Sequence, residues 1–191
     1  MKKKFAAALL STTLVLPASV WAQAVTLSPA DPQPSAGDLS AGLAVSYVPI
    51  PSNVRTVEDA GKLLERKGQP GAPILGLVYE DVDGKVMTSG KSEKIAADIS
   101  GYIKFDAAGT YTLDFLNNDG LQLFIGGQEV AFYDGVHACG YSGEIDVDVP
   151  QAGYYPLQAT FFQRKGTSCL MMEWGPDSDG LEMVTEEAFF H

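Results

Sequence analysis

Between Gly109 and Gly135 the chain reads GTYTLDFLNNDGLQLFIGGQEVAFYDG, and this stretch most restricts what the rest can fold into. Tyr111, Leu113 and Phe115 alternate with polar residues, and Leu121, Leu123 and Ile125 point one way in the next run with Gln122 and Phe124 opposite. A period of two is that of a half-buried β-strand, with apolar side chains on one face. Strands are therefore expected at 110–116, 121–125 and 129–133. Gly126-Gly127 suits a tight primed turn between the last two, because both residues tolerate positive φ. Between the first two strands stands Asn117-Asn118-Asp119-Gly120, whose composition by itself describes an ordinary polar turn.

The chain begins with Lys2-Lys3-Lys4, an apolar run from Phe5 to Leu16, Pro17 and small residues up to Ala22. That order of charge, apolar run and small residues is the layout of a secretory signal peptide, with cleavage expected after Ala22 or Ala24. It suits bacterial export to the periplasm or medium. The apolar run falls short of the roughly 20 residues that span a bilayer. The 191 residues carry a formal charge of −11, which becomes −14 once Lys2, Lys3 and Lys4 are removed. Such a balance argues against nucleic acid and anionic membrane as partners. Cys139 and Cys169 are the only cysteines. In an exported protein they are expected to form one disulfide, worth roughly 3–4 kcal/mol of loop-closure entropy; two separate thiols are the alternative.

Along the remainder, residues 23–40 are rich in Pro, Ala, Ser and Asp and read as a flexible leader. Residues 42–48 read as the first strand, and 56–67 as the one helix. There Thr56 is placed to cap, Val57, Ala60, Leu63 and Leu64 share a face, and Gly68 stops the helix. Further strands are expected at 74–79, at 95–105 with Gly101 as a bulge, and at 143–149 with Glu144, Asp146 and Asp148 facing water. The last two, 154–163 and 168–174, are expected to pair as a hairpin around residues 164–167. Asp81-Val82-Asp83-Gly84 and Asp177-Ser178-Asp179-Gly180 echo part of a calcium loop without its full ligand series.

Several of these segments together carry a resemblance. The order strand, Ala-Gly-Thr-Tyr, strand, Asn118-Asp119-Gly120, strand, Gly126-Gly127, strand resembles the PA14 domain family, as do Asp134-Gly135-Val136-His137, the strand 154–163 and the Trp174-Gly175-Pro176 ending. The resemblance runs from about Ala41 to the C-terminus and implies an all-β fold, an antiparallel β-sandwich or barrel-like domain with one short helix. Many short strands split by Gly and Pro turns favour that class independently.

In the family's lectin members the residues matching Asn118 and Asp119 are joined by a cis peptide bond and hold a calcium ion that ligates sugar hydroxyls. An amide side chain and carbonyls from a later loop complete the shell, which maps here onto Gln163, Lys165 and Gly166. Asn118 departs from the pattern, since it brings a neutral amide oxygen where metal-binding members bring a carboxylate, and fewer charges mean weaker calcium. Arg164, Asp134, His137 and Tyr141 (or Tyr133) stand as residues beside the ligand. For Asp134 and His137, pinning their own loop by hydrogen bonds is the preferred reading. The resemblance thus implies a carbohydrate-binding module with Ca²⁺. Its rival is a non-catalytic domain of the same fold that contacts a protein at the cell surface through a decayed metal site. No triad, His cluster or phosphate loop speaks for an enzyme.

Overall fold

The computed structural model describes residues 24–80 and 84–191. The expected signal peptide and the acidic turn at Asp81-Val82-Asp83 lie outside the described residues. In chain order the strands are β1 (Val25–Thr26), β2 (Ala44–Pro49), β3 (Gln69–Pro70), β4 (Val78–Glu80), β5 (Ile95–Phe105), β6 (Gly109–Asn118) and β7 (Gly120–Ile125). They continue with β8 (Gln128–Tyr133), β9 (Gly140–Tyr141), β10 (Ile145–Val149), β11 (Gly153–Gln163), β12 (Cys169–Gly175), β13 (Glu182–Met183) and β14 (Phe189–Phe190). Helix α1 (Val57–Lys67) stands between β2 and β3.

Two sheets face each other. One has the order β1-β10-β6-β12-β13, with β4 and β9 attached to β12 and β6; the other runs β3-β2-β5-β11-β7-β8, with β14 on β5. All ladders are antiparallel except β1 against β10. Leu113 and Phe115 from one sheet meet Ile99, Leu123, Leu157 and Phe161 from the other in one continuous core, all fully buried. The alternation read in the sequence is therefore the alternation of the sandwich, and burial of these side chains drives its closure.

A second, smaller cluster lies on the far face of the β11 sheet. Val57, Ala60 and Leu64 of α1 cover Val48, Ala96 and Phe162. The helix starts as its sequence predicts, with the Thr56 hydroxyl accepting from the Asp59 amide at 3.1 Å. Gly68 ends it with φ −56°, donating its amide to the Leu64 carbonyl rather than adopting a left-handed cap.

Four expectations are corrected. The expected hairpin of 154–163 with 168–174 does not form: β11 pairs with β5 and β7, whereas β12 pairs with β6, β4 and β13. The chain passes from one sheet to the other between them. The expected strand at 74–79 shrinks to Val78–Glu80, with Ile74 making one isolated bridge to Leu43. Gly101 is no bulge, since its register with Leu157 is regular; a Cβ there would lie 2.2 Å from the Phe190 carbonyl oxygen, so the β14 backbone demands glycine. Residues 25–30, read as leader, lie along the sandwich: Leu27 is buried and its amide donates to the Asp148 carbonyl.

Residues 134–143 form the loop after β8, and three ties hold it. The Asp134 carboxylate accepts from the Val57 amide at 2.8 Å, capping the first turn of α1 from outside the helix. The Cys139–Cys169 disulfide joins the loop to the first residue of β12. Gly140 and Tyr141 pair with Asn117 and Leu116 at the end of β6.

Two consequences are measurable. Replacing both cysteines by serine should lower the unfolding free energy by about 3–4 kcal/mol, read by urea denaturation. Gly120 faces the buried Phe162 ring so closely that a Cβ would sit 2.3 Å from it. Gly120→Ala should accordingly cost about 1–3 kcal/mol in the same measurement, as overpacking does.

Candidate functional site

The site sits where the chain passes twice from sheet to sheet. The first crossing leaves β6 through Asn118 and enters β7 at Gly120; the second leaves β11 at Gln163 and enters β12 at Cys169. Register sets them side by side, with Cys169 opposite Asn118 and Phe162 opposite Gly120. Asn117–Gly120 is thus no hairpin turn, although its residues look like one. The Asn118–Asp119 peptide bond is cis.

Asp119 is the junction. Its amide donates to the Phe162 carbonyl at 2.8 Å. Its carboxylate accepts from the Arg164 amide at 2.6 Å through Oδ2 and from the His137 amide at 3.1 Å through Oδ1. One side chain so fastens both crossings and the 134–143 loop. Burial pushes its carboxyl above the ordinary value, against the opposing pull of the two amide donors and of the nearby His137 and Arg164 charges.

Among the described residues, several buried side-chain oxygens of the two crossings have no hydrogen-bond partner. Gln163 is fully buried, and its amide nitrogen donates to the Gly166 carbonyl at 3.0 Å, which leaves Oε1 facing away with no donor. Asn118 repeats the arrangement: its nitrogen donates to the His137 carbonyl and its Oδ1 stays unpartnered. Asn117 Oδ1 and Ser168 Oγ are buried and unpartnered as well. Buried polar atoms are nearly always satisfied, so orphaned oxygens on these adjoining segments leave acceptors for a donor or an ion, while Arg164 Nε and His137 Nε2 of the same segments are unpartnered too. Hard oxygen donors beside a single carboxylate suit a hard cation such as calcium. Among the described residues no three His, Cys, Asp or Glu side chains gather around a common point, so an ion here would rest on amide oxygens and one charge.

The other sequence candidates fall into distinct places. Arg164 is nine-tenths buried, and its Nη2 donates to the Ser52 carbonyl at 2.5 Å, which turns the guanidinium toward the segment before α1. Lys165 is exposed, and Gly166 takes φ +78° at the loop's bend. His137 stacks on Tyr133 with ring centroids 3.8 Å apart, next to the cis pair. Asp134 is committed to the Val57 and Gly135 amides. Tyr141 stands on the outer face of the β6 sheet, its hydroxyl 3.1 Å from Glu173, and so lies apart from Asp119.

Sequence reasoning passed over Asn117, Ser168 and Ser52. Asn117 did leave a signal, because it occupies the same parity as Leu113 and Phe115 on β6 and is a polar residue at a core position. Ser52 left none, since its carbonyl enters only through tertiary contact.

Comparison with known proteins bears on the family and the fold. The PA14 domain model matches residues 80–188, more than half of the chain. Comparison with curated protein sequences finds no match. Among solved structures, the PA14 domain of the MpAFP antifreeze protein superposes with a TM-score of 0.67 at 17% identity, covering 80% of this chain and 91% of that one. The PA14 sugar-binding domain of an RTX adhesin gives 0.62 at 16% identity, covering 80% and 99%. The A domain of epithelial adhesin 9 from Candida glabrata, in complex with Galβ1-3GlcNAc, gives 0.59 at 14% identity, covering 88% and 96%. At these identities the likeness is one of fold. Family match and shared sandwich together lead to one conclusion: the chain belongs to the PA14 domain family.

Proposed function

We propose that this PA14 domain is an exported carbohydrate-binding module whose site is the Asn118–Asp119 pair and the loop after Gln163, assisted by calcium. One observation carries the reading: among the described residues Asn118 Oδ1 and Gln163 Oε1 are buried and unpartnered, on the residues that adjoin Asp119 and its hydrogen-bond partner Arg164. The RTX adhesin and Candida glabrata adhesin domains, which are described as sugar-binding or are in complex with a galactoside, support the ligand class. The basic-apolar N-terminus and the Cys139–Cys169 disulfide support export to the periplasm or medium.

Calcium bound here would supply positive charge and open coordination positions for sugar hydroxyls. Asp119 contributes the negative charge, held in place by the Arg164 and His137 amides. Asn118 and Gln163 add amide oxygens, and Lys165 and Gly166 flank the mouth. The Tyr133–His137 stack gives the neighbouring loop a rigid aromatic wall.

Asn118 favours a second reading. A carboxylate at 118 could not donate to the His137 carbonyl, so the asparagine gives up charge and gains a tether for the loop. A domain that relies on that tether rather than on metal would serve as a protein-contact module. Calorimetric titration of calcium into chelator-treated protein separates the two, because the protein-contact reading requires no saturable heat.

With one carboxylate, the calcium dissociation constant should fall at about 10⁻⁴–10⁻³ M, the range of weakly charged extracellular sites. At ten times that concentration the ion should stabilise the fold by about 1.4 kcal/mol, visible as a rise in melting temperature. Asp119→Asn should abolish both signals. Asn118→Asp should tighten calcium yet lower metal-free stability by about 1–3 kcal/mol, because the His137 carbonyl loses its donor.

The pH dependence follows from burial. Binding needs Asp119 ionised, and its carboxyl stands above the ordinary value of about 3.9. Affinity should therefore decline, as pH falls from 7, at a higher pH than an exposed carboxylate would dictate. Titrations across that range would show it.

A further inference from the structure

At the opposite end of β6 from Asp119 lies a cleft of about 580 Å³ between the start of β6 and the end of β12. Its walls are Tyr111, Trp174, Gly175, Pro176, Thr110 and Glu182. We propose that this cleft is a second carbohydrate subsite, one that takes an uncharged pyranose ring of a glycan.

The walls are built rather than incidental. Tyr111 and Trp174 point inward at the open end of the sandwich, both half-buried, with ring centroids 5.8 Å apart and planes tilted by 40°. Each leans on the fully buried Phe105, at 5.0 and 5.2 Å. The Tyr111 hydroxyl donates to the Ala107 carbonyl at 3.1 Å, which fixes the ring and leaves oxygen lone pairs free. On the other wall a Cβ on Gly175 would lie 2.3 Å from the Gly180 carbonyl oxygen, so the two backbones are in contact. Glu182 pairs in register with Trp174 and is exposed at the rim, as is Thr110.

The polar inventory selects the ligand. Glu182 and the tyrosine oxygen accept, and the Thr110 hydroxyl does both, so the occupant must be rich in donors. Neither Lys nor Arg lines the cleft, and Asp177 and Asp179 stand beside Gly180 in a chain of net charge −11, which disfavours an anion. The volume falls in the range of small-molecule sites and exceeds what an ammonium group fills. A sugar ring meets all three conditions, with its C–H face on the aromatic rings and its hydroxyls on Glu182. The ten residues of β6 put about 30 Å between this cleft and Asp119. This subsite is separate from the Asp119 site and does not rest on it.

The test uses the full chain with Trp21→Phe, which leaves Trp174 as its only tryptophan. The protein is applied to an array of neutral glycans, and the tightest binder is then titrated while Trp174 emission is followed. The expected result is a saturable emission change that survives Asp119→Asn, weakens about tenfold in Glu182→Gln and disappears in Thr110→Arg. No emission change at saturating glycan overturns the proposal and leaves the Asp119 site standing. So does a change that vanishes in Asp119→Asn, provided circular dichroism shows that variant folded. An equal response to a lysine-rich peptide also overturns it, in favour of a cation site. Because Thr110→Arg leaves Asp119 untouched, array binding that persists in it while the emission response is lost supports the second cleft even if Asp119→Asn does not fold. A chain that binds no glycan in any form overturns both readings.

Discussion

A buried carboxylate that accepts two backbone amides from two different segments is the interaction on which this architecture turns. Asp119 belongs to one crossing between the sheets, Arg164 to the other, and His137 to the loop after β8. None of the three segments is close to another in sequence. Hydrogen bonds to an ionised acceptor are roughly twice as strong as neutral ones, and burial removes the competition of water. The same burial raises the cost of keeping Asp119 charged, which the two amide donors offset in part.

Asn118 and Gln163 share one device. Each spends its amide nitrogen on a carbonyl of a neighbouring loop, His137 or Gly166, and the planarity of the amide then aims its oxygen the other way. Loop anchoring and oxygen presentation become one act. The disulfide and the Asp134 cap fix the His137 loop at two further points, so the anchor of Asn118 is itself held by covalent and hydrogen-bonded constraints.

The two ends of the sandwich differ in chemistry because the strands end differently. At the β6 C-terminus polar residues occupy core-facing positions and leave oxygens unsatisfied; at its N-terminus Tyr111 and Trp174 close the core with rings that are only half covered. A module with a binding site at each end would bridge neighbouring glycans, and linked weak contacts gain strength through effective concentration.

Alternation along residues 109–133 and 154–163 specified the strands and their inward faces, because side-chain period is a local property. The helix and its Thr56 cap were equally legible, and so was Gly126-Gly127. Cys139 and Cys169 being the only cysteines predicted their pairing. Resemblance to the PA14 order singled out Asn118, Asp119 and Gln163, and the structure sets their two crossings side by side. Which strands share a sheet was not legible: β11 and β12 look like a hairpin, yet β11 lies between β5 and β7 while β12 lies beside β6 in the other sheet, a pairing between segments far apart in the chain. Likewise Asp134 as a helix cap, Arg164 turned to Ser52, and the orphaned oxygens of Asn117 and Ser168 depend on neighbours far away in the chain. Local pattern fixes what each segment is; hydrogen-bond partners and burial, which are properties of the assembled whole, decide what its polar groups do.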